Sequence, residues 1–145
     1  MRIYHAGFSV KDLDAAIAWF QDMLGMEVLR RAERQCGADD SVAGIPYAKT
    51  RSAHLRFPGG DVSIELIEYV SPRGTPVVNS ANNPGAGHVG LEVDNVDEWY
   101  EKLKARGVKF KNIPRGFSPS GRKAVYFEGP QGLMLEFAQP PAKKA

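Results

Sequence analysis

The sequence predicts an α+β fold in which two copies of a βαβββ module form a concave sheet around a metal site. The strand and helix pattern of the first half returns in the second half, which indicates an internal repeat. Each copy opens with a His-x-Gly triplet, at His5 and at His88. Each copy ends with a glutamate, Glu65 or Glu136, inside an otherwise apolar strand. An ionised carboxylate in a buried strand is costly unless it is paired or binds a metal, so the repeat predicts a shared site.

The repeat organises one predicted domain that covers residues 1–145. Module one spans about residues 2–70 and module two spans about residues 87–138. The segment between them, residues 71–86, holds three prolines and two glycines without periodicity, which is typical of a linker. This length is sufficient for one domain with a hydrophobic core.

The elements of module one follow from periodicity and turn signals. Alternation predicts a first strand with His5 and Gly7 on one face and apolar residues on the other. Apolar residues at helical spacing predict a helix that Asp12 or Asp14 caps and Gly25 ends. The predicted elements are a strand at 2–10, a helix at 12–24, a strand at 26–29, a polar loop at 31–46, and antiparallel strands at 49–57 and 61–70.

The elements of module two repeat this order. Strands are predicted at 88–93, 107–110, 124–128 and 133–137, with a helix that begins near Asn95. Residues 111–122 are rich in glycine and proline. They form either a lid with an anion-binding arginine or a solvated hairpin loop. The candidate substrate-binding residues in this segment are Arg115, Phe117 and Arg122.

Four side chains are the candidate metal ligands. They are His5, Glu65, His88 and Glu136. If the helices cover one side of each sheet, these side chains face the other side, and the neighbouring glycines leave room beside them. Two imidazoles and two carboxylates suit Zn, Ni, Co, Mn or Fe(II) and not calcium. Four protein ligands leave two positions of an octahedral ion open for water or substrate.

We do not expect the remaining histidine, or two further glutamates on strands, to bind the metal. His54 lies in the middle of a predicted strand, where we expect a half-buried position or a supporting role beside the ligands rather than ligation. Glu68 and Glu92 are expected to face water.

Composition excludes several classes of protein. A net charge of +2 without a basic stripe argues against nucleic-acid binding. One cysteine, Cys36, excludes an internal disulfide framework and fits a reducing compartment. No apolar run approaches the roughly 20 residues of a membrane span, and no signal peptide is visible. We therefore expect a cytoplasmic protein with a small-molecule substrate and no membrane or nucleic-acid partner.

Paired modules with histidine on the first strand and glutamate on the last resemble the vicinal oxygen chelate superfamily, over about residues 2–138. That superfamily includes glyoxalase I, methylmalonyl-CoA epimerase, extradiol dioxygenases, fosfomycin resistance enzymes and metal-free bleomycin-binding proteins. The resemblance implies that the family's metal positions fall on His5, Glu65, His88 and Glu136. A glutamate at position 65 is similar to glyoxalase I, whereas methylmalonyl-CoA epimerases tend to have glutamine there. The resemblance also implies a homodimer, with the site built by one chain or by two.

The resemblance leaves three functions open. The first is a metal-dependent lyase or isomerase in which Glu136, or else Glu65, removes a proton next to a carbonyl. The second is an Fe(II) ring-cleaving dioxygenase, because the segment from Tyr126 to Glu136 partly resembles the extradiol signature. The histidine expected before Tyr126 is absent, and residues 117–119 stand there. The third is a non-catalytic binding protein of the bleomycin-resistance kind, which usually lacks the four ligands.

Overall fold

The computed structural model describes residues 2–142, which contain eight strands, two helices and one short 3-10 turn. The chain divides into two units, Met1–Val77 and Val78–Ala145, and the boundary falls inside the predicted linker. The two units correspond to modules one and two. No helix within residues 2–142 is long and apolar enough to cross a membrane.

Module one is a four-stranded mixed sheet with one helix. Its elements are β1 (His5–Ser9), α1 (Leu13–Leu24), β2 (Glu27–Gln35), β3 (Lys49–Arg56) and β4 (Ser63–Ser71). The strand order is β1-β4-β3-β2, with β1 parallel to β4 and the other pairs antiparallel. Helix α1 contacts β3 and β4.

Module two has the same topology. Its elements are β5 (Val89–Glu92), α2 (Val96–Ala105), β6 (Arg115–Phe117), β7 (Arg122–Glu128) and β8 (Met134–Gln139), with a 3-10 turn at Pro130–Gly132. The order is β5-β8-β7-β6, and β5 runs parallel to β8. Helix α2 contacts β7 and β8. The predicted fold class is therefore confirmed.

Each module buries its own apolar core between the helix and the sheet. In module one the fully buried side chains include Leu13, Ile17, Phe20, Leu55 and Leu66. In module two they include Val96, Leu103, Phe127, Leu135 and Phe137. The Phe127 and Phe137 rings stack in a tilted arrangement with centroids 4.4 Å apart. Burial of each such side chain stabilises the fold by about 1.5–3 kcal/mol.

Both helices begin with a side-chain cap. Asp12 accepts a hydrogen bond from the backbone N–H of Ala15. Asn95 accepts from the backbone N–H groups of Asp97 and Glu98. These caps satisfy N–H groups that have no partner inside the helix. Helix α1 ends at Gly25, whose φ of 71° suits glycine, as the sequence predicts.

The last strand of each module also holds the first residue of its helix. Glu68 Oε2 on β4 accepts a hydrogen bond of 3.2 Å from the Leu13 N–H. Gln139 Oε1 on β8 accepts one of 3.0 Å from the Val96 N–H. Because Glu68 and Gln139 each lie three residues after the site glutamate, the two bonds are equivalent in the repeat.

A basic residue on the third strand of each module forms a second link. Arg51 on β3 pairs with Asp14 of α1 at 2.6 Å. Lys123 on β7 pairs with Asp97 of α2. Hydrogen bonds from Arg51 and Arg31 hold the pKa of Asp14 below its usual value. The same strand-to-helix links in both modules support the internal repeat.

Strand β2 is longer than predicted. It continues to Gln35, inside the segment predicted as a loop at 31–46, and pairs with β3 as far as Gln35 opposite Lys49. Most of its residues are exposed and polar, so the apolar alternation that signals a strand is missing. Backbone hydrogen bonding to β3, interrupted by an irregularity between Val28 and Arg30, forms this edge strand.

The second strand of module two also differs from the prediction. Residues 107–110 do not form a strand, and a single bridge joins Phe110 to Phe127. Strand β6 instead lies within the segment 111–122 predicted as a loop. Pro114 precedes β6, and a proline has no N–H to continue a ladder, which explains the interruption.

The expectation that Glu68 faces water is wrong. Its residue surface is only 7% exposed. Besides the Leu13 N–H, it contacts Arg51 at 3.2 Å and Arg73 at 3.7 Å, so the buried charge is compensated. Glu92 is exposed, as expected.

We predict that Glu68→Ala lowers the free energy of unfolding by about 2 kcal/mol, because it leaves a buried N–H of α1 without an acceptor. Glu68→Gln retains an acceptor, as Gln139 does in module two, and should lose about half as much. Urea denaturation measures both, with the exposed Glu92→Ala as control. Equal stability of Glu68→Ala and the unmodified protein would show that the link does not stabilise the fold.

Candidate metal centre

Module one brings His5 and Glu65 together. Strand β1 runs parallel to β4 with Gly7 opposite Glu65 and His5 opposite Ser63. Since side chains alternate across a strand, His5 and Glu65 lie on the same face of the sheet. His5 Nε2 is 3.1 Å from Glu65 Oε2, and both side chains are partly exposed.

Module two brings His88 and Glu136 together in the same way. Gly90 lies opposite Glu136 in the parallel β5–β8 pair, and His88 immediately precedes β5. His88 Nε2 is 3.1 Å from Glu136 Oε2. Glu136 is only 9% exposed, whereas His88 is more accessible.

Each glycine opposite a glutamate leaves space at the carboxylate. A Cβ atom at Gly7 would lie 3.7 Å from Glu65 Oε2 and 3.8 Å from the His5 ring. A Cβ atom at Gly90 would lie 3.5 Å from Glu136 Oε2. A larger side chain at either position would therefore extend toward the donor atoms.

His54 is a third imidazole in module one. It lies opposite Glu65 on β3, and its Nε2 is 3.2 Å from Glu65 Oε1. Its Nδ1 is 3.2 Å from the Ser63 hydroxyl, and Arg30 Nη2 is 2.9 Å from its Nε2. The residue is 4% exposed, and this burial lowers the pKa of His54, which favours the neutral imidazole. The expected supporting role beside Glu65 matches this position, although the side chain is fully rather than half buried.

The contact with Arg30 indicates how the His54 ring is protonated. A guanidinium can only donate, so Nε2 carries the lone pair and the Nδ1–H donates to Ser63. His54 Nε2 and Glu65 Oε1 are then two acceptors that face each other at 3.2 Å. Two facing acceptors are stabilised by nearby positive charge, which Arg30 supplies at His54.

The three donor groups of module one lie close enough to hold an ion. Ligand atoms of His5, His54 and Glu65 are within 4.8 Å of one another. Because Arg30 already donates to His54 Nε2, His54 is the least available of the three as a ligand. His5 differs from His54 in that its Nδ1 is buried and has no hydrogen-bond partner among the described residues.

Module two has a tyrosine at the position that His54 takes in module one. Tyr126 lies opposite Glu136 on β7, and its hydroxyl is 3.3 Å from His88 Nε2. Arg122 Nη2 is 3.3 Å from Glu136 Oε1. Each glutamate therefore has one oxygen near the first-strand histidine and the other near a residue of the third strand. The sequence analysis did not predict the contacts of His54 and Tyr126. These contacts follow from the pairing of the third and fourth strands of each module, which places His54 opposite Glu65 and Tyr126 opposite Glu136.

The candidate substrate residues separate into two groups. Arg122 contacts Glu136, as described above. Arg115 and Phe117 lie on the exposed strand β6, where Phe117 is 54% exposed. No hydrogen bond or ion pair joins Arg115 to His88 or Glu136 within residues 2–142.

The donor set in each module fits a divalent transition metal. Imidazole nitrogen and carboxylate oxygen are its usual ligands, with bonds of about 2.0–2.2 Å. Neighbouring ligands at right angles around such an ion lie roughly 3 Å apart. The two histidine–carboxylate separations of 3.1 Å are close to that value.

Two βαβββ modules, each with a histidine–glutamate pair on one face of its sheet, define a glyoxalase-like class of protein. The chain belongs to the Glyoxalase/Bleomycin resistance protein/Dioxygenase superfamily, whose family model matches residues 2–137.

Relatives and solved structures agree with this membership. The chain is 30% identical to a lactoylglutathione lyase of Haemophilus influenzae, over 100% of this chain and 97% of that protein. It is 29% identical to a 2-epi-5-epi-valiolone epimerase of an Actinomyces species, over 97% of this chain and 80% of that protein. A glyoxalase family protein from Bacillus cereus has the same fold, with a TM-score of 0.83, 22% identity, and coverage of 98% of this chain and 95% of that one. Together these matches support a glyoxalase-type metal-dependent enzyme.

We predict that Gly90→Val weakens divalent-metal binding by about tenfold or more, because methyl groups beyond the Cβ atom displace the Glu136 carboxylate. Gly90→Ala adds only a Cβ atom at ordinary contact distance and should have a smaller effect. Titration with Co(II), followed by absorption, measures the affinity.

Gly116→Val is the matched control for this prediction, because a Cβ atom at Gly116 meets no atom within 4 Å. Equal losses of affinity in Gly90→Val and Gly116→Val would show that the space beside Glu136 does not determine the affinity for the metal.

Proposed function

We propose that the protein is a divalent-metal-dependent lyase or isomerase of glyoxalase type that removes a proton next to a carbonyl of a small molecule. In this proposal His5, Glu65, His88 and Glu136 hold one ion of Ni, Co, Mn, Zn or Fe(II). The observation that supports it best is the repeated histidine–glutamate pair, with the same 3.1 Å separation in both modules.

The metal would supply Lewis-acid chemistry, since a bound cation polarises a carbonyl and stabilises the negative charge that forms on its oxygen. The residues of the chain would supply the proton transfers. A carboxylate beside the substrate carbon can accept a proton, and a second carboxylate can return one. Glu65 and Glu136 are proposed for these two roles.

Glu136 is proposed as the base that removes the proton, with Glu65 as the second candidate. Arg122 at Oε1 and His88 at Oε2 orient the Glu136 carboxylate from both sides. The Arg122 side chain is about half exposed, so it can exchange this contact for one with an incoming anionic group. Glu65 Oε2 is oriented by His5, whereas its Oε1 lies 3.2 Å from the acceptor nitrogen of His54.

Epimerisation is the second candidate reaction. The relative from Actinomyces is named an epimerase, whereas the relative from Haemophilus influenzae is named a lyase. Both reactions can begin with the same proton abstraction, and two carboxylates suit removal and return of a proton. The glutamate at position 65 favours the lyase, according to the resemblance of the four ligand positions to glyoxalase I.

A ring-cleaving dioxygenase and a metal-free binding protein have less support. The dioxygenase reaction lacks the expected histidine, because residues 117–119 are Phe, Ser and Pro. A metal-free binding protein leaves the repeated histidine–glutamate pairs without a role. The cytoplasmic location, the homodimer, and the supply of ligands by one chain or two remain parts of the proposal.

Metal analysis and a substrate screen test the proposal. We predict that protein prepared without chelator contains a divalent transition metal, and that His5→Ala and His88→Ala each reduce its content. The loaded protein is then assayed with glutathione hemithioacetals, acyl-CoA thioesters and catechols. Absence of bound metal under all conditions would exclude the proposed enzyme, whereas oxygen uptake with catechols would indicate the dioxygenase.

We predict that Glu136→Gln lowers turnover by about 100-fold to 10,000-fold while the protein stays folded, because an amide cannot accept the proton. The exposed Glu92→Gln on β5 removes one charge away from the site and serves as control. Circular dichroism checks the fold and metal analysis checks the loading. Full activity of Glu136→Gln would exclude Glu136 as the base.

A further inference from the structure

A pocket of about 290 Å³ opens in module one beside His54. Its lining residues are Tyr4, Leu29, Arg30, His54, Arg56, Asp61 and Ser63. The volume lies just below the range of about 300–1,000 Å³ that is usual for small-molecule sites. None of the four proposed metal ligands lines it, so its chemistry is separate from ligation.

Arg30 brings an uncompensated positive charge to this pocket. Its Nη2 donates to the neutral imidazole of His54, which orients the guanidinium without neutralising it. Two other arginines of β2 have acidic partners, Arg31 with Asp14 and Arg34 with Asp40. Within residues 2–142 Arg30 has no such partner, so its charge is available to a ligand.

Arg56 adds a second guanidinium. Its Nε is buried and has no hydrogen-bond partner among the described residues. A buried donor without an acceptor is rare in native proteins and costs free energy unless a water or a ligand satisfies it. Asp61 also lines the pocket, but it forms no ion pair with Arg30 or Arg56 in the described part of the chain.

The remaining lining residues suit an anionic ligand with an apolar part. Since His54 Nδ1 donates to Ser63 Oγ, the Ser63 hydroxyl can donate its own proton to a ligand. Tyr4 and Leu29 are exposed and supply apolar contact. The planar guanidinium matches the geometry of carboxylate and phosphate groups.

We propose that this pocket binds the anionic end, a carboxylate or a phosphate, of the substrate of the neighbouring site. The identification as a substrate pocket rests on the proposed function, whereas anion binding by the two arginines does not. His54 lines the pocket and contacts Glu65, so a ligand held by the arginines lies near Glu65, one of the two proposed proton-transfer residues.

Calorimetry with the metal-free protein tests anion binding. The probes are benzoate, phenyl phosphate and neutral benzamide, which has nearly the shape of benzoate. We expect at least one of the two anions to bind, and benzamide to bind about tenfold or more weakly. The tighter of the two anions identifies the group as carboxylate or phosphate.

Two arginine variants and one matched control locate the binding. Arg56→Gln and Arg30→Gln should each weaken anion binding by about tenfold to a hundredfold, because each removes charged donors. Arg34→Gln on the same strand β2, whose partner is Asp40, should leave the affinity unchanged. Thermal denaturation checks that every variant is folded, and Arg30→Gln, on an exposed edge strand, provides the test if Arg56→Gln is unstable.

Three results would overturn the proposal. They are binding of benzamide that equals the binding of the tighter anion, unchanged affinity in both arginine variants, and anion binding that occurs only after the metal is added. The last result would show that the anion binds to the metal ion and not to the arginines. Probe binding is measured without metal and without turnover. A failed metal analysis would therefore reject the proposed enzyme but not the proposed anion pocket.

Discussion

The parallel pairing of the first and last strands within each module is the constraint on which the rest depends. It places Gly7 opposite Glu65 and Gly90 opposite Glu136. The histidine two residues before each glycine then lies on the same face as the carboxylate. A small residue opposite the carboxylate leaves space beside the donor atoms, toward which a side chain larger than alanine would extend. Strand register, glycine and the histidine–glutamate pair are therefore one structural feature that occurs twice.

The two modules share this frame but surround their glutamates differently. Glu65 Oε1 faces the neutral imidazole of His54, whereas Glu136 Oε1 faces the guanidinium of Arg122. The charge next to each carboxylate is therefore unequal, although the backbone positions are equivalent. The different contacts at equivalent positions are the reason for proposing separate roles for Glu65 and Glu136, one removing a proton and the other returning it.

Periodicity and local chemistry predicted most of the fold and the histidine–glutamate pairs, because those features repeat in the sequence. Helix α1 begins and ends where Asp12 and Gly25 indicate, since a cap and a left-handed glycine are local signals. The polar continuation of β2 to Gln35 was not predicted, because a ladder of backbone hydrogen bonds has no side-chain pattern. The burial of Glu68 and the contact of His54 were missed for another reason, as both depend on partners that are distant in sequence. Tertiary partners of polar side chains cannot be read from one strand alone.

The hydrogen bonds between the last strand and the helix of each module also stabilise the geometry of the site. Glu65 and Glu68 are three residues apart on β4, so they face opposite sides of the sheet, one toward His5 and one toward helix α1. Glu136 and Gln139 have the same spacing on β8 and the same division of contacts. A slip of one residue in either strand would exchange the two faces and remove both the helix contact and the histidine contact. The hydrogen bond to the first residue of each helix therefore stabilises the register that brings histidine and glutamate together, and a variant that weakens the link should also disturb the site.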